Sequence, residues 1–306
     1  MNPMNKLPAV QIVIANWNDE QTTRKCLEHI QKLDYSNYYV TVVDSGSSDG
    51  SGERIKENFP WVRLIHVQEN YGHTHAANVG AMFTAKEESQ YILFLDNDAY
   101  LAPSCLTSLI QSIDANPKYG MACPLIFSEN KSGTIWYGGG RITIFGNAHH
   151  ENMGKIANID ILQTKVVEYA SSCVLLIRRE IFNQVSGFDE KLFNYSEDLD
   201  LSWKVRLLGY DLIFVPTANA IHGESKNVIK VAGKVFRDYY TMRNRLYMIR
   251  KYGNIFQKSV GVLFSILWYA GGFGVIHLLR GEWKRTQSLL RGVIDFFKGK
   301  YWKWDL

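Results

Sequence analysis

The chain has 306 residues, 46% of them hydrophobic and 21% charged, enough for one large domain or two small ones with a sizeable core. A formal net charge of +4 is too mild to point to nucleic acid, and no nucleic-acid partner is expected. The four cysteines (Cys26, Cys105, Cys123, Cys173) lack metal-site pairing and disulfide density, which predicts reduced core thiols in a cytoplasmic setting.

Residues 10–15 are a β-branched run that predicts a first strand and is too short for the apolar core of a secretion signal. Asn16, Asn18 and Asp19 follow, the kinds of residue that cap a helix, here expected over residues 22–33. No glycine-rich phosphate loop stands here, which weighs against a dinucleotide-binding dehydrogenase or a P-loop enzyme. Residues 38–43 predict a second strand. It is closed by Asp44-Ser45-Gly46-Ser47-Ser48-Asp49-Gly50-Ser51, a turn rich in side chains that bond nearby backbone, leading into a helix. Residues 62–67 are a third strand, followed by a small-residue helix expected over 76–85, with His73 and His75 just before it.

Tyr91-Ile92-Leu93-Phe94-Leu95-Asp96-Asn97-Asp98 is the most informative stretch. Five apolar residues in a row suit a strand buried on both faces of a parallel sheet. Ligands collect beyond the carboxyl ends of such strands, where Asp96 and Asp98 emerge. Residues two apart on a strand share a face, and two carboxylates on one face repel unless a cation lies near. A hard divalent ion with bound phosphates meets that need. Strand and helix alternate throughout this half, the pattern of an α/β fold with a mainly parallel sheet.

Pro103 opens a helix expected over 104–114. Residues 119–163 break into short apolar pieces and glycines, expected as irregular hairpins and loops, with His149-His150 on a solvated loop. Residues 171–177 predict a buried strand and 179–185 a helix. Ser196 is a candidate cap for a helix whose first turn holds Glu197, Asp198 and Asp200, favoured there by the helix dipole. The same placement makes a rigid mount for a general base. Residues 213–216 predict a last, edge-type strand with His222 just past it.

Taken in order, Asn16-Trp17-Asn18, the Asp44–Ser51 turn, Asn70-Tyr71-Gly72, Asp96-Asn97-Asp98, Gly187-Phe188-Asp189-Glu190, the acidic cluster around Glu197 and Asp198, and Arg243-Asn244-Arg245 resemble family 2 glycosyltransferases. The likeness is to the bacterial rhamnosyltransferase-like group and covers about the first 250 residues. It implies a GT-A fold, a Rossmann-like mainly parallel sheet with flanking helices, over residues 1–225; the composition of the rest predicts a C-terminal helical, membrane-associating region over 226–306. It also implies a nucleotide-sugar donor, with Asn16, Asn18, Asp44, Asn70 and Asp96 on the nucleotide side. Asp98 and His222 then ligate a divalent metal, Mg or Mn. Asp198 is the implied catalytic base, with Glu197 its nearer rival. One base and no evident covalent nucleophile argue for inverting transfer to a hydroxyl of a saccharide or lipid-linked acceptor, in bacterial surface polysaccharide synthesis. Rhamnose from a thymidine diphosphate donor is the first guess by resemblance.

Two other classes compete. A buried strand ending in Asp-x-Asp also resembles the first motif of haloacid-dehalogenase-type phosphatases, with Asp96 as nucleophile and Asp98 as acid/base. Three strands precede it here, and Tyr100 stands where a small hydroxyl residue is usual. A non-catalytic nucleotide-sugar-binding module is the third reading, opposed by the intact carboxylates.

Towards the C-terminus, residues 260–279 carry no Asp, Glu, Lys or Arg, a run just long enough to cross a bilayer. Basic residues flank both ends, and Gly271, Gly272 and Gly274 invite a break into two short helices. The tail 289–304 mixes Arg, Lys, Phe, Tyr and Trp as interfacial helices do. In-plane association with the inner face of the cell membrane is expected, ahead of a span or a soluble helical dimer, so homo-oligomerisation stays open.

Overall fold

The computed structural model describes residues 7–83, 89–158, 161–223 and 233–303. The expected alternation is there: β1 (Val10–Asn16), α1 (Glu20–Ile30), β2 (Tyr38–Ser45), α2 (Ser51–Asn58), β3 (Arg63–Val67), α3 (His73–Met82) and β4 (Tyr91–Leu95). Then come β5 (Ala99–Leu101), α4 (Cys105–Asp114), β6 (Tyr119–Ser128), β7 (Ile135–Tyr137), β8 (Gly140–Ile142), β9 (Ala148–His150), β10 (Lys165–Val167), β11 (Val174–Arg178) and α5 (Arg179–Gln184). α6 (Glu197–Leu207) and β12 (Asp211–His222) complete the sheet region, and three helices follow: α7 (Gly233–Tyr252), α8 (Gln257–Leu279) and α9 (Trp283–Phe297). The expected end of the third helix, at Ala85, and the expected domain boundary at 225/226 lie outside the described residues.

The main sheet runs β10-β12-β6-β11-β4-β1-β2-β3. β4, β1, β2 and β3 are parallel, and β12 runs parallel to β6, whereas β11 is antiparallel to both its neighbours. Every residue of β4 is buried, as its unbroken apolar run requires. All four cysteines are buried and free.

Several expectations need correction. Residues 119–163 are not loops throughout: β6 is a ten-residue strand, mostly buried, near the middle of the sheet. β12 is twelve residues long and internal, and His222 is its last residue rather than a neighbour beyond it. Pro216 does not end it, because the register against β6 shifts between Val215 and Asn219, a bulge that accommodates a residue lacking a ladder donor. Ser196 makes no side-chain cap to α6. It and Tyr195 both sit at positive φ (+69° and +68°), a conformation that turns the hydroxyl away from the free amides of the first turn. β4 stops at Leu95, and Asp96–Ala99 is a turn closed by Ala99 N–H donating to Asp96 O at 3.0 Å. That turn, not the pleat of a strand, sets where the two carboxylates point.

The glycines do not split residues 257–279. The segment is one helical run of 23 residues with π-type stretches; its most apolar window has mean hydropathy 1.8 and is only 22% buried. A helical glycine costs only about 1 kcal/mol, and packing of Ala270 against Met242, Leu246, Leu289 and Phe296 offsets it. α7 is tied to the sheet domain by Arg243, which is fully buried. Its guanidinium donates to the carbonyls of Lys191, Leu192 and Trp302 (2.9–3.0 Å) and to Asn244 Oδ1. Removing those donors takes several hydrogen bonds to a charged group out of a buried network, at about 1.5–3 kcal/mol each. Arg243→Leu should therefore lower stability by about 3 kcal/mol or more, read as a shift in the urea midpoint.

Candidate active site

Parallel β1, β2 and β4 bring their carboxyl ends to one edge of the sheet, and the antiparallel β11 starts at that edge. The turn after β4, the approach to β11, the start of α6, the end of β12 and one face of α7 enclose a cleft of about 590 Å³. Asp96, Asp98, Glu197, Asp198 and His222 all line it. Residues separated by more than a hundred positions in sequence are thus brought together.

Asp98 is buried, and its Oδ1 lies 3.6 Å from His222 Nε2. The His222 ring stacks on Trp136 (4.2 Å between centroids, 23°), which fixes the imidazole plane. Ligand atoms of Asp96, Cys173 and His222 also come within 4.8 Å of one another. Burial and the nearby Asp96 carboxylate push the Cys173 thiol well above the usual range, so it stays protonated and is a poor ligand for a hard ion. Two carboxylates and an imidazole remain, an oxygen-rich set that suits Mg²⁺ or Mn²⁺. The residues present fit a divalent cation.

Across the cleft, the Asp198 carboxylate is held from two sides. Tyr169 Oη donates to its Oδ2 at 2.5 Å, and Leu199 N–H donates to its Oδ1 at 2.8 Å. Burial raises the Asp198 pKa and the Tyr169 hydrogen bond opposes the rise. Glu197 is more deeply set: Ser172 Oγ donates to its Oε1 at 3.3 Å, while its Oε2 is buried without a hydrogen-bond partner among the described residues. Burial, then the Asp198 charge, push Glu197 up to about 7. The folded protein holds this proton more tightly than the unfolded chain, whose glutamate titrates near 4.5. Native Glu197 therefore carries the extra proton between those values, and stability falls as pH rises from 4.5 to about 7. Glu197→Gln should abolish that loss, on the order of 3 kcal/mol. Denaturant melts of metal-free wild type and variant at pH 5 and pH 8 check this.

The other candidates sit apart from the cleft lining. Asn16 is fully buried, donating to Asp44 Oδ1 (2.8 Å) and Ser51 Oγ (3.0 Å) and accepting from Thr23 Oγ1 (2.8 Å). Asp44, also fully buried, meets His66 Nδ1 at 3.0 Å through Oδ2. Asn18 Oδ1 accepts from Ser48 N–H, and Asn70 Oδ1 from Gly72 N–H. These four lock the loops after β1, β2 and β3 beside the cleft. His73 and His75 separate cleanly: His73 lines the cleft, 3.9 Å from Asp96 Oδ1, while His75 pairs with Glu190 at 3.1 Å.

Sequence reading missed several cleft residues. His150, expected on a solvated loop, lines the cleft and is held by Trp136 O (3.2 Å) and Tyr169 Oη (3.4 Å), because β9 folds back on β8. Trp136 and Tyr169 carried no local signal, since their roles arise only from packing across the sheet. Arg237 and Arg245 line the cleft from α7; Arg245 stood in a noted motif without a role.

Comparison with known proteins fits this geometry. The chain is 28% identical over 204 residues to the N-acetylglucosaminyl-diphospho-decaprenol L-rhamnosyltransferase of Mycobacterium tuberculosis (strain H37Rv), covering 60% of this chain and 66% of that one. It thus spans just under two-thirds of that relative's length. It is 24% identical over 261 residues to rhamnosyltransferase WbbL of Escherichia coli (strain K12), covering 80% of this chain and 97% of that one. The solved structure of the mannosyltransferase PcManGT from Pyrobaculum calidifontis, in complex with GDP-Man and Mn²⁺, superposes with a TM-score of 0.58 at 15% identity, over 97% of this chain and 89% of that one. The fold is the GT-A fold. Residues 11–186 match the model for "Glycosyl transferase family 2", more than half of the chain, and with the ordered strand-end carboxylates this places the protein in glycosyl transferase family 2.

Proposed function

We propose that this protein is an inverting, metal-dependent glycosyltransferase. It moves a sugar from a nucleoside diphosphate donor to a hydroxyl of a saccharide or lipid-linked acceptor, in the assembly of a bacterial surface polysaccharide. The observation that carries the reading is one cleft with an Asp98–His222 pair on one wall and a Tyr169-held Asp198 on the other, in a family 2 chain. Relatives named as rhamnosyltransferases make rhamnose the first sugar to test. Nothing in the fold or the relatives favours a phosphatase or a non-catalytic module.

In this reading Asp98 and His222 hold the cation and Asp96 faces the nucleotide side, with Asn16, Asn18, Asp44 and Asn70 shaping the loops that receive the nucleoside. A bound Mg²⁺ or Mn²⁺ supplies neutralisation of the charge that builds on the leaving diphosphate. Asp198 takes the acceptor proton as the new glycosidic bond forms on the face opposite the leaving group. Tyr169 and the Leu199 amide hold that carboxylate in position. Residues 1–225 form the catalytic unit and 226–306 the membrane-facing one. Leu263, Leu267, Trp268 and Val275 project outward from α8, Trp283, Leu290, Ile294 and Phe297 from α9, and Lys258, Arg280 and Lys284 flank the apolar run. That combination suits the anionic inner face of a membrane.

The test is a panel of nucleotide sugars with and without manganese or magnesium, scored for donor hydrolysis and thermal shift. Metal-dependent hydrolysis of one or a few donors is the expected result. Inertness towards every donor, with phosphatase activity on simple esters, would remove the reading.

A further inference from the structure

The cleft lining is acidic at its strand and α6 ends and basic along α7. The turn after β4 and the start of α6 bring Asp96, Asp98, Glu197 and Asp198 to it, and α7 contributes Arg237, Thr241, Arg245 and Met248, spaced four, four and three residues apart so that they share a helix face. Most arginines of this chain are committed. Arg243 is bound to carbonyls, Arg285 to Asp238 and Glu282, and Arg178 and Arg179 to backbone and side-chain oxygens. Asp238, the acid beside Arg237 in sequence, is taken by Arg285 at 2.6 Å. Among the described residues neither Arg237 nor Arg245 lies within 4 Å of a carboxylate oxygen.

Arg245 is the more informative of the two. Its guanidinium carbon sits 3.5 Å from the centroid of the Tyr269 ring, and its Nη1 is buried without a hydrogen-bond partner among the described residues. Burial lowers its pKa, a sign that the cation is poorly solvated here. A desolvated guanidinium with an unused donor, at the mouth of a cleft, is matched to an anion with several oxygens. Tyr269 belongs to α8, whose outward face is the exposed apolar surface. The basic face of α7 therefore joins the cleft to that surface, on an element separate from those that carry Asp98 and His222.

We propose that Arg237 and Arg245 form a subsite for the diphosphate of a lipid-linked acceptor, holding its phosphoryl oxygens at the junction of cleft and apolar helix while the lipid runs along α8. This deepens the glycosyl-transfer reading and rests on it. The acceptor's sugar then projects towards Asp198, and its charged link is recognised without the metal.

Calorimetric titration of the full chain in EDTA, with farnesyl diphosphate, farnesol and inorganic pyrophosphate as probes, tests this. Chelation removes metal-dependent uptake of diphosphates at the donor wall. Wild type should bind farnesyl diphosphate at least about tenfold more tightly than either farnesol or pyrophosphate. The Arg237→Gln/Arg245→Gln double variant should lose that tenfold advantage, with UDP, GDP or dTDP binding in manganese as in wild type. Arg245→Lys, which keeps the charge without the planar stack, should fall between, and equal melting temperatures show that the variants fold. Equal affinity for farnesyl diphosphate and farnesol, or an unaffected double variant, overturns the subsite. Equal affinity for pyrophosphate overturns the lipid-linked acceptor, and loss of nucleotide binding assigns the arginines to the donor. If no nucleoside diphosphate binds wild type with manganese while farnesyl diphosphate behaves as described, the glycosyl-transfer reading fails and the anion subsite stands.

Discussion

Asp198→Asn is expected to lower the transfer rate by about 10²–10⁴-fold with little change in nucleotide affinity, because a positioned general base contributes on that scale. The substitution keeps the shape of the side chain and its place at the start of α6, but removes the carboxylate that receives the acceptor proton. Tyr169 can still donate to the amide oxygen, so the cleft should keep its form. The loss should appear in kcat with donor KM nearly constant, the signature of an interaction used in the transition state. Thermal shift with nucleoside diphosphate and manganese reports binding separately. Full activity in the variant sinks Asp198 as base, and a complete loss in Glu197→Gln with Asp198→Asn active would pass the role to Glu197.

Asp98→Ala should remove the metal dependence of donor binding and slow transfer by at least about 100-fold, since stabilising charge on a leaving diphosphate is worth several kcal/mol. Asp98 sits 3.6 Å from His222, and the Trp136 stack holds that imidazole in place, so loss of the carboxylate leaves a ligand pair incomplete. His222→Ala should act in the same direction. Wild type should gain thermal stability from manganese plus nucleoside diphosphate, and the Asp98 variant should gain nothing from adding the metal to the nucleotide. An unchanged manganese-dependent shift would take Asp98 out of the metal site.

What was legible in the sequence was whatever depends on neighbours in the chain. β1, β2 and β4 announce themselves because each is a largely apolar, buried run, β3 because it is β-branched although it lies half-exposed at the sheet edge, and α6 because its first turn is acidic. β6 was misread because the glycines and short apolar pieces after it mask a long strand, and β12 because Pro216 looks like a strand end locally, whereas a bulge between Val215 and Asn219 carries the strand past it. His150 was misread because its partners, Trp136 and Tyr169, lie 14 and 19 residues away and meet it only through the β8–β9 hairpin.

The sequence by itself determined which residue types were available: acids past a strand end, acids at a helix start and a histidine near the end of the last strand, in the order of a known family. Only the tertiary structure decided the surroundings of each. A fully buried Asp44 bound to Asn16 and His66 stiffens a loop beside the cleft, while Asp98 faces a histidine and Asp198 is gripped by a tyrosine. One carboxylate is chemically like another until burial, hydrogen bonds and neighbouring charge set its proton affinity, and those are properties of packing across the sheet rather than of position in the chain.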